Sequence, residues 1–177
     1  MMLPVSTLTR PISSQDHWWG SPTAALTLVQ YGDYQCPNCG LAYPLLTKLL
    51  ERMGDQICFV FRHFPRSDVH PHAQHAAEAV EAAASQGKFW PMHDYLYTRQ
   101  HALGNGYLVE YALDLGLDVT QFLREVTGDR FVGRVQADVA SGRASGVVDT
   151  PTFFINGRRY SGAHTQAALW EALSKAA

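Results

Sequence analysis

The sequence predicts a mixed α/β protein whose central sheet is split by a block of helices. Three observations carry this. Ile57-Cys58-Phe59-Val60-Phe61 is a nearly continuous apolar run of β-formers, the pattern of a strand buried on both faces. Ala73, Ala76, Ala77, Val80 and Ala84 recur at helical spacing and open a long helical region. Asn156-Gly157 lies between Thr152-Phe153-Phe154-Ile155 and Arg158-Arg159-Tyr160, the strongest hairpin signal in the chain.

In chain order, Leu3 to Ser21 reads as an irregular, extended strap punctuated by Pro4 and Pro11. Its Trp18-Trp19 pair is expected to cover an edge of the core, since large aromatics are recruited mainly for buried area. Ala25 to Tyr31 is a strand, Leu41 to Met53 a helix ending at Gly54, and Ile57 to Phe61 the next strand. Strand, helix, strand in that order gives a right-handed βαβ unit. After the Ala73–Ala84 helix, Phe89, Met92 and Leu96 mark a second helix, which tolerates Pro91 only in its first turn. Leu108, Tyr111, Ala112 and Leu115 mark a third, and Asp118 with Gln121 resembles the capping box of a short fourth. Val132, Val135 and Val139 mark a fifth, and roughly Thr165 to Lys175 forms the last helix after the hairpin. The expected architecture is βαβ, helical block, ββα: a four-stranded sheet with a helix on each face. The boundaries are a strap over 1–23, the sheet domain over 24–66 and 147–177, and an inserted helical domain over 67–146.

Composition narrows the function classes. Apolar residues make up 46 % of the 177 and charged residues only 17 %, which predicts a folded core and argues against disorder. A formal net charge of −2 lacks the basic balance of a nucleic-acid binder. No apolar run approaches the roughly 20 residues of a membrane span. The N-terminus shows neither the basic nor the apolar region of a secretory signal, so the expected compartment is the cytoplasm, or an exported location if a leader has been removed. Three cysteines, two of them close together, exclude a disulfide scaffold.

The chemistry is expected at Cys36-Pro37-Asn38-Cys39, at the junction of the first strand and helix. A thiolate is the attacking species, and a helix N-terminus favours it through unpaired N–H groups and the helix dipole. Pro37 suits the first helical position, where a missing N–H costs nothing. Cys39 lies one turn on, within bridging reach of Cys36. The expected roles are an exposed nucleophile at Cys36 and a more buried resolving thiol at Cys39. Zinc is the alternative for a close cysteine pair, but structural zinc needs four ligands and there is no second pair. His63, His70, His72 and His75 cluster in sequence, and His72 and His75 are expected to form the wet face at a helix start. Cys58 is expected to be a buried small hydrophobe.

The arrangement resembles the DsbA-like branch of the thioredoxin-fold superfamily, the thiol–disulfide oxidoreductases. Four segments carry the resemblance: Leu28 to Gly40, Phe61-Arg62-His63-Phe64-Pro65 with His70-Pro71-His72-Ala73, Gln86 to Trp90 with Met92-His93-Asp94, and Thr150 to Gly157. It implies a thioredoxin fold with an inserted helical domain, protein or peptide thiols and disulfides as partners, and no cofactor beyond the redox-active Cys36–Cys39 pair. It also implies a cis Pro151 against that pair, Thr150 offering its backbone to an extended substrate, and Pro44 as a helix-kinking proline. Two positions depart from the pattern. Gln30 stands where members usually carry a buried acid, so Cys39 should need another base or a water, and resolution should be slower. Asp149 stands where glycine is frequent, and its charge is expected to raise the Cys36 pKa slightly. Asn38 lacks the charge of a histidine at that place, so an intermediate redox potential is expected. The other functions open to this sequence are a redox-sensing or metal-binding module of the same fold, and a glutathione-linked transferase or isomerase working through a single nucleophile.

Overall fold

The computed structural model of the chain describes residues 6–177. Leu3 and Pro4, at the start of the expected strap, lie outside the described residues. The elements run β1 (His17–Gly20), β2 (Leu26–Gly32), α1 (Pro37–Met53), β3 (Ile57–His63), α2 (Ala73–Ala84), α3 (Phe89–Thr98), α4 (Asn105–Asp114), α5 (Val119–Thr127), α6 (Val132–Ala144), β4 (Thr152–Ile155), β5 (Arg158–Arg159) and α7 (Gln166–Ala176). The α/β class and the thioredoxin-like order are those expected.

The sheet has five strands among the described residues, in the order β1-β3-β2-β4-β5, where four were expected. The extra strand comes from the supposed strap. His17 to Gly20 pairs antiparallel with Phe61 to Cys58 and closes the outer edge of β3. A four-residue edge strand with two tryptophans carries no period-2 run long enough to read as a strand. Its tryptophans do cover an edge: Trp18 is 39 % exposed, its carbonyl accepts a bond from Trp90 Nε1 at 2.9 Å, and Trp19 packs on the main core. At the centre, β2 and β3 are parallel, with Gln30 level with Phe61, and β4 returns antiparallel to β2, with Phe153 level with Gln30.

The expectation of one helix on each face does not hold. Both α1 and α7 pack on the same side, where Leu46, Leu49, Leu169 and Leu173 share one core with Leu28, Phe59 and Ile155. The opposite face is covered by loops, the N-terminal segment and α6. Val29, Val60, Cys58 and Phe154 are roofed by Phe64, Val147, the α6 residue Val139 and the N-terminal Leu8 and Ile12. Strand alternation makes two apolar faces, but it does not say which helix takes which.

Local signals behave as their chemistry dictates. Pro91 sits in the first turn of α3, and Asp118 accepts a bond from Gln121 N at 2.9 Å to cap α5. Thr165 caps α7 in the same way. Asn156 and Gly157 both have positive φ, 46° and 76°, the twist that joins β4 to β5 in a two-residue turn. The expected inserted domain spans α2 to α6, with its limits falling in the loops after β3 and after α6.

Candidate active site

Cys36 is the N-cap of α1 and Pro37 its first residue, four positions earlier than the helix start expected at Leu41. The turn before it is built by Asp33. Its Oδ1 accepts Gln35 N at 2.7 Å and Cys36 N at 3.2 Å, while Oδ2 accepts Arg66 N at 2.8 Å and meets His70 Nδ1 at 2.7 Å. One carboxylate, 1 % exposed, thereby shapes the cysteine turn and ties it to the loop after β3. From the other side Gln100 Nε2 donates to the carbonyls of Tyr34 and Cys36 at 2.8 and 2.9 Å. A Cβ on Gly40 would lie 1.9 Å from Gln100 Oε1, so glycine there makes room for this clamp. Sequence reasoning missed both residues. Asp33 carried a readable signal, an acceptor three residues before the N-cap. Gln100 carried none, because it arrives from the helical block.

The chain beyond that block supplies the other wall. The Thr150–Pro151 peptide bond is cis, as expected, and the Cys36 thiol donates to the Thr150 carbonyl at 3.3 Å. Thr150 N–H donates to Asp149 Oδ1 at 2.8 Å, so both backbone polar groups of Thr150 are engaged in the dithiol form. The Thr150 hydroxyl is buried without a hydrogen-bond partner. Asn38, Thr150 and Pro151 line an open groove of about 350 Å³ with Arg159, Tyr160 and His164.

The two thiols are driven apart electrostatically. A hydrogen bond from Cys39 lowers the Cys36 pKa from 9.0 to about 6, against the opposing effect of burial and with help from Thr150 and the N–H groups of Cys39 and Asn38. Burial first, then the bond to Cys36 and its charge, push Cys39 well up. The expected exposure needs correcting: Cys36 is itself buried, at 4 %, against 0 % for Cys39. The Asp149 carboxylate turns to the Thr150 N–H and pairs with Arg66 at 3.4 Å, and it is not among the largest influences on Cys36. Alkylation of Cys36 by iodoacetamide should rise with pH to half its plateau near pH 6. A midpoint near 9 would mean that the helix start does not activate the thiol.

The remaining candidates are dispersed. Gln30 is buried at 2 % on β2 and lines a cavity between the sheet, α1 and α3. Pro44 lies within α1. His63 is buried against Glu81 at 2.7 Å, His70 serves Asp33, and His72 and His75 are exposed at the start of α2 as expected. Among the described residues no three His, Cys, Asp or Glu side chains converge as a metal set. Cys58 is buried on the far face of the sheet, and burial raises its thiol pKa. Among the described residues no helix is long and apolar enough to cross a membrane.

Known proteins match this arrangement. The structure of oxidised BdbD from Bacillus subtilis superposes with a TM-score of 0.85 at 20 % identity, covering 97 % of this chain and 98 % of that one. DsbA2 of Pseudomonas aeruginosa gives 0.74 at 23 % identity, over 95 % and 97 %. Among curated proteins, the Na(+)/H(+) antiporter NhaA of Herminiimonas arsenicoxydans is 46 % identical over 160 residues, 89 % of this chain and 25 % of that protein. NhaA 3 of Salinispora tropica is 44 % identical over 162 residues, 92 % of this chain and 25 % of its own length. The chain thus spans about a quarter of the curated relatives it matches. Its sequence matches the family described as Thioredoxin over residues 13–175. With that match over nearly the whole chain, the chain belongs to the thioredoxin family, and its fold is the one shared by BdbD and DsbA2.

Proposed function

We propose that this chain is a thiol–disulfide oxidoreductase that exchanges disulfides with protein or peptide thiols through Cys36-Pro37-Asn38-Cys39. The observation that carries the reading is the split between the thiols, one lowered to about 6 and its bonded neighbour raised, beside a cis proline. Coupled groups pushed in opposite directions are assigned different roles by their environment. Cys36 is the nucleophile and Cys39 the resolving thiol.

In the oxidising direction a substrate thiolate attacks Cys36 Sγ of the disulfide, and Cys39 leaves as a thiolate that takes a proton. A second substrate thiolate then attacks the substrate sulfur, and Cys36 leaves. In the reducing direction the Cys36 thiolate attacks a substrate disulfide, and one substrate sulfur leaves with a proton. Cys39 then loses its proton, attacks Cys36 Sγ and releases the second substrate thiol. An extended substrate would lie in the groove beside Thr150 and Pro151, displacing the bond between Cys36 and the Thr150 carbonyl. The dithiol is its own redox group, so neither metal nor organic cofactor takes part.

A glutathione-linked transferase with one nucleophile would leave Cys39 without a task, although Cys39 is the largest single influence on Cys36. A purely sensing or metal-binding module would not need the groove at Pro151. Transport is what the printed names of the NhaA relatives say of those whole proteins, and the exchange reading concerns only the quarter that matches. Stabilising the Cys36 thiolate stabilises the reduced pair, which makes the disulfide moderately oxidising. Direction then follows the surroundings: reduction in the cytoplasm expected from the sequence, oxidation in an oxidising compartment.

Equilibration with glutathione redox buffers, read by mass spectrometry, tests the reading. The expected result is an intramolecular Cys36–Cys39 disulfide with a midpoint between those of a strong oxidant and a strong reductant. A pair that yields only glutathione adducts, with no internal disulfide at any ratio, would overturn it.

A further inference from the structure

The exchange cycle leaves one proton without a destination. Cys39 must lose it before attacking Cys36, its pKa is raised, and the amide of Gln30, buried on β2, cannot accept a proton. The cavity that Gln30 lines holds about 190 Å³, room for several waters. The titratable groups facing it are Tyr43 and Glu51 from α1 and His93, Asp94 and Tyr97 from α3, while the strands present Trp19, Gln30 and Phe59. Tyr97 reaches from this space to the chain on both sides of the thiols. Its ring lines the cavity and lies 4.9 Å from the ring of Tyr34, two residues before Cys36, and 5.2 Å from that of Tyr43, four after Cys39, and its hydroxyl is buried without a hydrogen-bond partner. A Cβ on Gly32 would come within 2.9 Å of that hydroxyl, so glycine at the end of β2 keeps the place open. Asp94 sits at the exposed mouth, where Tyr43 Oη donates to its Oδ1 at 2.8 Å.

We propose that Asp94 accepts the proton of Cys39 during resolution, across water held in this cavity and anchored on the Tyr97 hydroxyl. This rests on the exchange reading above. The step balances: Cys39 Sγ forms a bond to Cys36 Sγ, the bond from Cys36 to the substrate sulfur breaks, and the substrate leaves as a thiolate. The Cys39 proton passes through water to the Asp94 carboxylate and on to solvent at the cavity mouth. Of the cavity's other titratable groups, His93 is neutral, since burial and then the charges of His63 and His17 hold its pKa near 3, and Tyr43 and Tyr97 are pushed up by burial. Glu51 stands at the rim on α1, without the tyrosine hydroxyl that holds Asp94 in place. Burial, only partly offset by Tyr43, raises the Asp94 carboxyl and makes it a better proton acceptor. The acid is thus delivered by the inserted helices and not by β2.

Reaction of the reduced protein with Ellman's reagent separates the two steps. A first thionitrobenzoate is released when Cys36 is modified, and a second when Cys39 resolves the mixed disulfide. In Asp94→Asn the first release should keep its rate, and the second should slow roughly tenfold, the low end of general-base effects, and lose an inflection in its pH profile. Asp94→Glu should retain the second rate, and Gln30→Glu placed in Asp94→Asn should restore it. An unchanged second release in Asp94→Asn, or both releases slowed alike, would overturn the assignment. A wild-type protein that never gives the second release would instead refute the exchange reading itself.

Discussion

Replacing Cys36 by serine should abolish exchange, whereas replacing Cys39 should leave the first attack intact and trap the mixed disulfide. With a pKa of about 6, Cys36 is roughly nine-tenths thiolate at pH 7. A serine hydroxyl in its place stays protonated, so turnover on a dithiol or disulfide peptide should fall by at least about a thousandfold, to background. Cys39→Ser and Cys39→Ala should both accumulate a Cys36–substrate adduct visible by mass spectrometry. They should differ in one respect. The bond from Cys39 is the largest cause of the Cys36 shift, so Cys39→Ala should move the alkylation midpoint up, and Cys39→Ser, which can still donate, should move it less. Residual turnover in Cys36→Ser, or a Cys39→Ser protein that never forms an adduct, would sink the assignment of roles.

The largest effect on stability is expected at Arg62, on the side of the sheet away from the thiols. Its side chain is fully buried, and all five N–H groups are placed. Nε and Nη2 donate to Asp16 at 2.8 and 3.0 Å, Nη1 to the Arg10 carbonyl and Tyr31 Oη at 2.9 and 3.1 Å, and Nη2 also to the Pro11 carbonyl at 3.0 Å. One side chain therefore fastens the N-terminal segment across β3. Arg62→Met keeps much of the volume but leaves the Asp16 carboxylate with Ser13 N and the half-exposed Arg10. Breaking a buried pair by removing one partner costs about 3–5 kcal/mol, and urea unfolding at pH 7 should show a loss of that size. Burial pushes the Asp16 carboxyl up, but the bonds from Arg62 and Ser13 and the charges of Arg62 and Arg10 more than offset this, and its pKa is lowered. A lowered carboxylate stabilises the fold above its unfolded value, near 3.9, and that contribution fades as pH falls through the lower folded value. The difference between wild type and Arg62→Met should shrink across that acid window. A loss under about 1 kcal/mol at pH 7 would show that the segment is held by its apolar contacts alone.

Chemistry and topology were legible to different degrees. Cys36, Cys39, Pro37, the hairpin at Asn156-Gly157 and most helix limits follow from short-range rules of turns, caps and periodicity. The cysteine site was readable because its first half lies within a few residues of chain. Thr150 and Pro151 were found only through a resemblance, since no local rule joins them to a cysteine over a hundred residues earlier. Asp33 was overlooked although its signal was local, and Asp94 because it stands on a helix whose periodicity says only that it faces outward.

By itself, then, the sequence determined the element types and the βαβ–helices–ββα order and singled out the cysteine pair proposed as reactive, because each depends on near neighbours in the chain. Tertiary structure decided the fifth strand, the placing of α1 and α7 on one face, the clamp from Gln100, the opposed thiol pKa values and the cavity shared by Gln30 and Asp94. Each of these comes from surfaces brought together across long stretches of chain. Packing and desolvation act on distance in space, which periodicity along the chain does not encode.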